Sequence, residues 1–496
     1  MKKISFITAI LLTAAQTVLS QTSADALRYS RIDIGGSARY MGLSGAFGAL
    51  GADFTTISTN PAGTGLFKSS EFSITPAVHT GSIESFYNNT TGADQRSIFH
   101  LGHAGIVLSS KIKSDPNKPG WRNVNFSTGL NRLNDFNYRY EMRGRNAASS
   151  LLDTYVQSAN GIHYKDIEDD LYSDYAFDLN LAWWTYLLDF ADPVTVDQYT
   201  SPIKPGSDKL QEKYLDTWGS MNEYVFNISG NYNDRLYLGM TFGIPMIRYY
   251  EYSVYTESDI SGSDLKYFNQ IESLETHGTG FNFKLGFIYR ANDWFRLGGA
   301  FHSPSWFNNM KDSWQVRMNS EFYTPDPDGY TRYDEISPVG NYQYDLQTPY
   351  RVQGNLGFIV GNVGLISADY EFVDFANARF DAPGYSFSEE NSAIRNSYAG
   401  SHQIRLGTEW RYSIFSFRAG GKYFTSPYQG NINDGSTFGF SGGAGFRQGW
   451  FFMDLAYAYN NTRQDYYFYN IGDIASNPVS NTIRRHNVLL TVGVKL

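Results

Sequence analysis

The sequence predicts an all-β fold, a 14-stranded antiparallel transmembrane β-barrel with an N-terminal plug segment. Three observations point there: a secretory leader, period-two hydrophobic alternation, and connections that alternate between short and long. Lys2 and Lys3 precede a mostly apolar run from Ile4 to Val18, followed by Ser20 and Gln21. Residues 1–20 therefore read as a signal peptide and stand outside the fold. The remaining chain carries 38 basic against 49 acidic residues, a balance with no general attraction to nucleic acid. It has no cysteine, which excludes a disulfide scaffold, an Fe–S centre and a thiol nucleophile. Aromatic residues make up 17% of the chain while its mean hydropathy is −0.39. No later segment holds the run of roughly eighteen apolar residues that a spanning helix needs. A barrel escapes that test, because its apolar face is spread over alternate residues.

Alternation recurs through the last two-thirds of the chain. Val488, Leu490, Val492, Val494 and Leu496 share one face, opposite Asn487, Thr491, Gly493 and Lys495. Phe281, Phe283, Leu285, Phe287 and Tyr289 oppose Asn282, Lys284 and Arg290. Fourteen strands are expected near 69–80, 98–112, 121–142, 221–232, 235–256, 264–290, 293–318, 345–361, 362–382, 396–412, 414–428, 433–448, 449–468 and 480–496. Joins such as Asn233-Asp234 and Asn292-Asp293 are short, whereas the longest connection covers about 143–220. Short periplasmic turns and long external loops are the outer-membrane pattern, so residues 69–496 form the barrel and the expected location is the bacterial outer membrane. Outer-membrane lipid is then its surrounding partner.

Residues 21–68 do not read as wall. Gly42, Gly45, Gly48 and Gly51 stand at three-residue spacing, and Asn60-Pro61-Ala62-Gly63 follows. Small residues allow close backbone approach and proline turns the chain, as a hatch inside a narrow lumen requires.

The order of leader, Gly/Ala-rich segment, Asn-Pro-Ala and fourteen strands resembles the FadL/TodX family of outer-membrane hydrophobic-compound transporters. Supporting stretches are Phe281 to Pro304 with its Ala291-Asn292-Asp293 turn, Thr348-Pro349, Asp369-Tyr370-Glu371, and Arg405-Leu406-Gly407 with Glu409. The resemblance implies a passive channel for long-chain fatty acids, aromatic hydrocarbons or similar small molecules, closed by a hatch that includes Asn60, Pro61 and Ala62. It implies lateral exit through a gap beside a kinked strand. FadL-like barrels also serve in type IX protein secretion, so secreted proteins are the partner in an alternative reading. A haem receptor is a third.

Parity directs Lys284, Arg351, Arg405 and Lys422 into the lumen, where a cation can hold a ligand carboxylate through charge-assisted hydrogen bonds or fasten the plug. Asp369 and Arg405 fall at similar heights on adjacent strands and are expected to pair. In the long loop, Trp183, Trp184, Leu187 and Phe190 either form a landing groove for an apolar ligand or pack loop helices together. No metal or other cofactor is expected. His100 and His103 differ by an odd number and should face opposite sides. No enzymatic constellation stands out: Ser303 directly follows His302, and Gly442-Gly443-Ala444-Gly445 precedes no helix.

Overall fold

The computed structural model describes residues 22–496 apart from 114, 116, 171, 173, 174, 193, 431, 472 and 473, so the expected signal peptide lies outside the described residues. Fourteen wall strands follow in chain order. They are β1 Glu71–Tyr87, β2 Thr90–Lys111, β3 Trp121–Asp135 continuing as Tyr138–Asn146, β4 Lys209–Tyr232, β5 Leu236–Ser258, β6 Leu265–Arg290 and β7 Phe295–His302 continuing as Trp306–Phe322. The wall goes on with β8 Gly340–Gln347 and Arg351–Val360, β9 Gly364–Asp374, β10 Gly400–Tyr412, β11 Phe415–Phe424, β12 Thr437–Gln448, β13 Phe451–Tyr466 and β14 Val479–Lys495. Each pairs antiparallel with its sequence neighbours. β14 returns to β1 in a register from Glu71↔Lys495 to Phe86↔Ser480, which closes the barrel. Phe72, Ile74, Phe226, Ile228, Phe281, Leu285, Leu406, Trp410, Phe438, Phe440, Leu455 and Val488 stay exposed on the outer face. That belt meets lipid, and the chain is an outer-membrane barrel. His402 and His486 also face outward, each hydrogen-bonded to a tyrosine hydroxyl: Tyr370 at 2.7 Å and Tyr457 at 2.8 Å.

Several boundaries differ from the expectation, each for a physical reason. β1 and β2 run on to a two-residue turn at Asn88-Asn89, both with positive φ, where a longer connection was expected. Above the bilayer the outer face no longer needs apolar residues, so Thr80, Ser82 and Glu84 hide the strand from an alternation test. For the same reason the long connection is 147–208 rather than 143–220, because β3 and β4 extend into it. Residues Ser388–Ser397, where strand was expected to begin at 396, form a helix instead. His100 and His103 point the same way, not apart. They oppose Ala77 and Thr75, which share the lumen side, and Gly102 between them is an extra residue in β2. Such a bulge shifts parity by one.

The N-terminal segment 22–68, for which hatch is used below as a label of position only, holds helices α1 (Ser23–Ser30) and α2 (Ala38–Gly42), then 3₁₀ turns at Phe54–Ser58 and Pro61–Leu66. Short polar side chains start these turns by accepting from the first free amides: Ser37 from Tyr40 N, Asp53 from Thr55 N, Asn60 from Ala62 N. Outside the bilayer, α3 (Leu151–Ala159), α4 (Tyr164–Glu168) and α5 (Leu179–Trp184) build a lid. Its core, including Leu152, Ile167, Leu179 and Leu187, packs on Tyr87, Met142, Phe268 and Val316 of the tall strands. A further helix, α6 (Ser388–Ser397), covers the connection after β9.

Candidate functional site

The hatch meets the lumen through polar groups. Asn60 is fully buried, and its Nδ2 donates to Gly48 O at 2.8 Å and Phe287 O at 3.1 Å. Thr64 donates to Asn227 Oδ1 on β4 at 2.6 Å. A Cβ on Gly239 of β5 would lie 2.3 Å from Pro61 O, so only glycine admits this approach. Asp369 on β9 accepts the amides of Phe47 and Gly48, both at 2.8 Å. It lies directly opposite Arg405 in the register, as its height suggests, but the two form no salt bridge. The hatch amides take this carboxylate instead. Arg39 of α2 meets Glu409 of β10 through Nε at 2.8 Å and Nη2 at 3.2 Å. Arg418 completes that knot, contacting Glu409 at 2.7 Å and Asp454 at 2.6 Å.

Lys284, Arg351, Arg405 and Lys422 gather around one narrow cavity of about 50 Å³ between hatch and wall. Each has a carboxylate partner. Lys284 lies 2.5 Å from Glu223, and Arg351 and Arg405 share Glu371 at 2.7 and 3.4 Å. Lys422 reaches Asp33 of the hatch at 2.6 Å. His302 and Ser303 border the same cavity, the first against Thr59 O at 2.5 Å and the second accepting from Phe283 N at 3.0 Å.

A larger cavity of about 300 Å³ lies above the hatch. Its floor is Leu27, Arg28, Arg31, Ile32 and Asp33, and aromatic walls come from Phe136, Tyr138, Tyr249 and Phe424. Tyr140, Leu215 and Tyr466 line it and also pack with the lid core. Parity reasoning missed Arg31 and Asp33 because they belong to no strand. The one signal available is a charged pair, Arg31 and Asp33, flanking Ile32 just before the small residues Gly35, Gly36 and Ser37. Asp33 borders both cavities and a third of about 30 Å³. Burial acts to raise its carboxyl, but Lys422 and Arg485 outweigh this and hold it well below the usual carboxylate range. Burial pushes the Arg31 guanidinium below its ordinary value. Arg31 donates to Gly435 O at 2.6 Å and forms no salt bridge among the described residues.

Of the four loop residues, Leu187 is fully buried in the lid core. Trp183 and Phe190 are partly buried against that core, with their rings 5.2 Å apart. Trp184 is exposed, and its indole donates to Glu168 O at 3.3 Å. Asp326 organises a turn by accepting Asp328 N at 2.9 Å and Tyr330 N at 2.8 Å.

No family profile and no curated protein matches the chain. Solved structures do match along almost its whole length. A FadL homologue from Pseudomonas aeruginosa superposes with a TM-score of 0.56 at 12% identity, covering 92% of this chain and 98% of its own. The fold is that of the FadL-type channels. CymD, a monoaromatic hydrocarbon channel, gives 0.50 at 11% identity, covering 93% of this chain and 98% of its own. The toluene transporter TodX of Pseudomonas putida gives 0.50 at 9%, covering 94% and 99%. At these identities the FadL-type fold is what is shared.

Proposed function

We propose that the barrel passes small, largely apolar compounds across the outer membrane. The cavity of about 300 Å³ between α1 and the aromatic wall carries this reading. Its size is at the lower end of ordinary ligand sites, roughly 300–1,000 Å³, and it combines apolar surface with a few fixed polar groups. The FadL-type fold supports the same class, since TodX is a toluene transporter and CymD a monoaromatic hydrocarbon channel. In this reading Asn60, Pro61, Ala62 and Gly63 keep the hatch seated. The Lys422–Asp33 ion pair fastens it to the wall, while Lys284, Arg351 and Arg405 pair with the wall carboxylates Glu223 and Glu371 beneath it. Purified full-length barrel in liposomes is expected to speed entry of toluene and of decanoate over protein-free vesicles. Rates equal to those of empty vesicles for both compounds would refute it.

The secretion alternative rests on the lid, which presents Trp184 and Tyr186 to the outside, 45% and 55% exposed. Secreted proteins co-purifying through residues 147–208, together with no flux, would favour it.

A further inference from the structure

A trough of about 550 Å³ opens on the lipid side of β3 to β6. Trp121, Ile228, Leu238 and Leu285 line it, all exposed members of the outward apolar rows. Apart from the Trp121 indole, its only polar side chain is Ser229, which turns inward to Thr64 at 2.8 Å. Trp121 lies across Gly230 at the foot of the trough, where a Cβ would stand 2.6 Å from its ring. Trp121 is the first residue of β3 and Leu238 the third of β5, so the trough reaches down to the short turns. Exposed Tyr232, Trp294 and Trp450 also stand beside these turns. Aromatic girdles of this kind mark the height of lipid headgroups.

Three periplasmic connections meet directly below. Asn233 N donates to Gly120 O at 2.9 Å, Arg122 Nη2 to Asn233 Oδ1 at 3.1 Å and Arg290 N to Arg235 O at 2.7 Å, which joins them into one collar. Residues 111–122, 233–235 and 290–293 hold six cations against three carboxylates, Asp115, Asp234 and Asp293. This surplus runs against the chain as a whole, whose net charge is −9. Asp115 already meets Lys118 at 3.8 Å, Asp293 meets Arg290 at 2.6 Å, and Asp234 accepts from Asn231 Nδ2 at 2.7 Å. Lys113 and Arg235 are exposed and form no salt bridge among the described residues. A surface cation ordinarily needs no partner but water. These two stand at headgroup height, at the foot of an apolar trough.

We propose that the trough is a binding site for one anionic glycerophospholipid of the periplasmic leaflet. An acyl chain lies along Leu238, Ile228 and Leu285, and the phosphate sits between Lys113 and Arg235. Burial of the chain does not choose among lipids, since all of them bring one. The collar does. The ammonium of a zwitterionic headgroup cancels the attraction that an anionic headgroup keeps in full. Each Lys or Arg near a membrane surface favours anionic lipid about fivefold, so two cations together favour it by well over tenfold. The site lies outside the lumen, and its ligand is a resident of the membrane rather than the compound that passes through.

Native mass spectrometry of the full-length barrel, released from vesicles of equal parts phosphatidylglycerol and phosphatidylcholine, tests this. One phosphatidylglycerol per barrel should stay bound after the other lipids are stripped, at least roughly tenfold in excess of phosphatidylcholine. Lys113→Gln with Arg235→Gln should cut that preference by roughly tenfold or more, yet still retain a lipid of either kind. Leu238→Trp fills the trough and should abolish retention of both lipids. Lys495→Gln, on the rim outside the collar, should change neither. Heat-shifted gel migration confirms that each barrel is folded. Equal retention of the two lipids by the wild type overturns the proposal. So does a preference that survives L238W, or one that K495Q lowers as much as the double variant, because either shows diffuse attraction to the rim.

Discussion

Glu409 offers the sharpest test of how the hatch is held. Its side chain is 1% exposed, with Arg39 at 6% and Arg418 at 0%, so all three charges are out of water. Replacing Glu409 by Gln keeps the shape and removes the charge. Arg418 retains Asp454 at 2.6 Å and the half-exposed Arg411 turns to water, but Arg39 loses its only ion pair among the described residues and keeps neutral acceptors such as Ala52 O at 3.0 Å. Breaking a buried pair by removing one partner costs about 3–5 kcal/mol, because the remaining charge stays buried. At roughly 1.4 kcal/mol per tenfold, the docked hatch loses two to three and a half powers of ten in its favour. Hydrogen exchange over residues 38–48 should accelerate by about a hundredfold or more, with wall amides of β10 and β11 unchanged. Single-channel conductance should rise in parallel. Unaltered exchange in a folded E409Q barrel would show that Asp369 and the Asn60 contacts hold the hatch without this knot.

Two further outcomes follow from packing and burial. Gly239→Ala places a methyl 2.3 Å from Pro61 O, so the hatch must shift. Overpacking of this kind costs about 1–3 kcal/mol, and liposome swelling with small sugars should read it as raised permeability. In the lid, burial pushes the Asp178 carboxyl at the start of α5 up to about 7. The folded lid then binds a proton that the unfolded lid releases near its ordinary pKa. Lid stability should therefore fall as pH rises from about 4 to about 7 and level off above. Amide protection over residues 179–188 that rises with pH would contradict this.

All fourteen wall strands could be located from alternation, because each carries an apolar row toward lipid and a polar row toward the hatch. The strand extensions above the bilayer could not, because residues 80–98 and 209–220 lose that constraint once the outer face leaves lipid. Parity correctly sent Lys284, Arg351, Arg405 and Lys422 inward, yet it says nothing about partners from other parts of the chain. Glu223 lies 61 residues from Lys284, and Asp33 lies 389 from Lys422. Gly102 shows the same limit locally: one extra residue reversed the predicted sides of two histidines. Arg31 was invisible to any period-based reading, since its importance comes from what surrounds it in space.

The unequal heights of the strands explain why the larger cavity lies where it does. β4, β5 and β6 have 24, 23 and 26 residues, whereas β10, β11 and β12 have 13, 10 and 12. A difference of about twelve residues at ~3.3 Å each is roughly 40 Å along a strand, or about 30 Å of height at a tilt near 40°. The tall side supports the lid, whose core packs on β1, β3 and β4 to β7. The short side ends level with the top of the hatch, and there the cavity takes its lining from Ser401, Gln403, Phe424, Thr425 and Tyr428. Tyr398 bridges to Tyr428, and Gly435 in the connection after β11 accepts the guanidinium of Arg31. Arg31 is therefore tied to a peptide carbonyl in a connecting segment, not to the ladder of the wall. A neutral carbonyl is a weaker partner than a carboxylate.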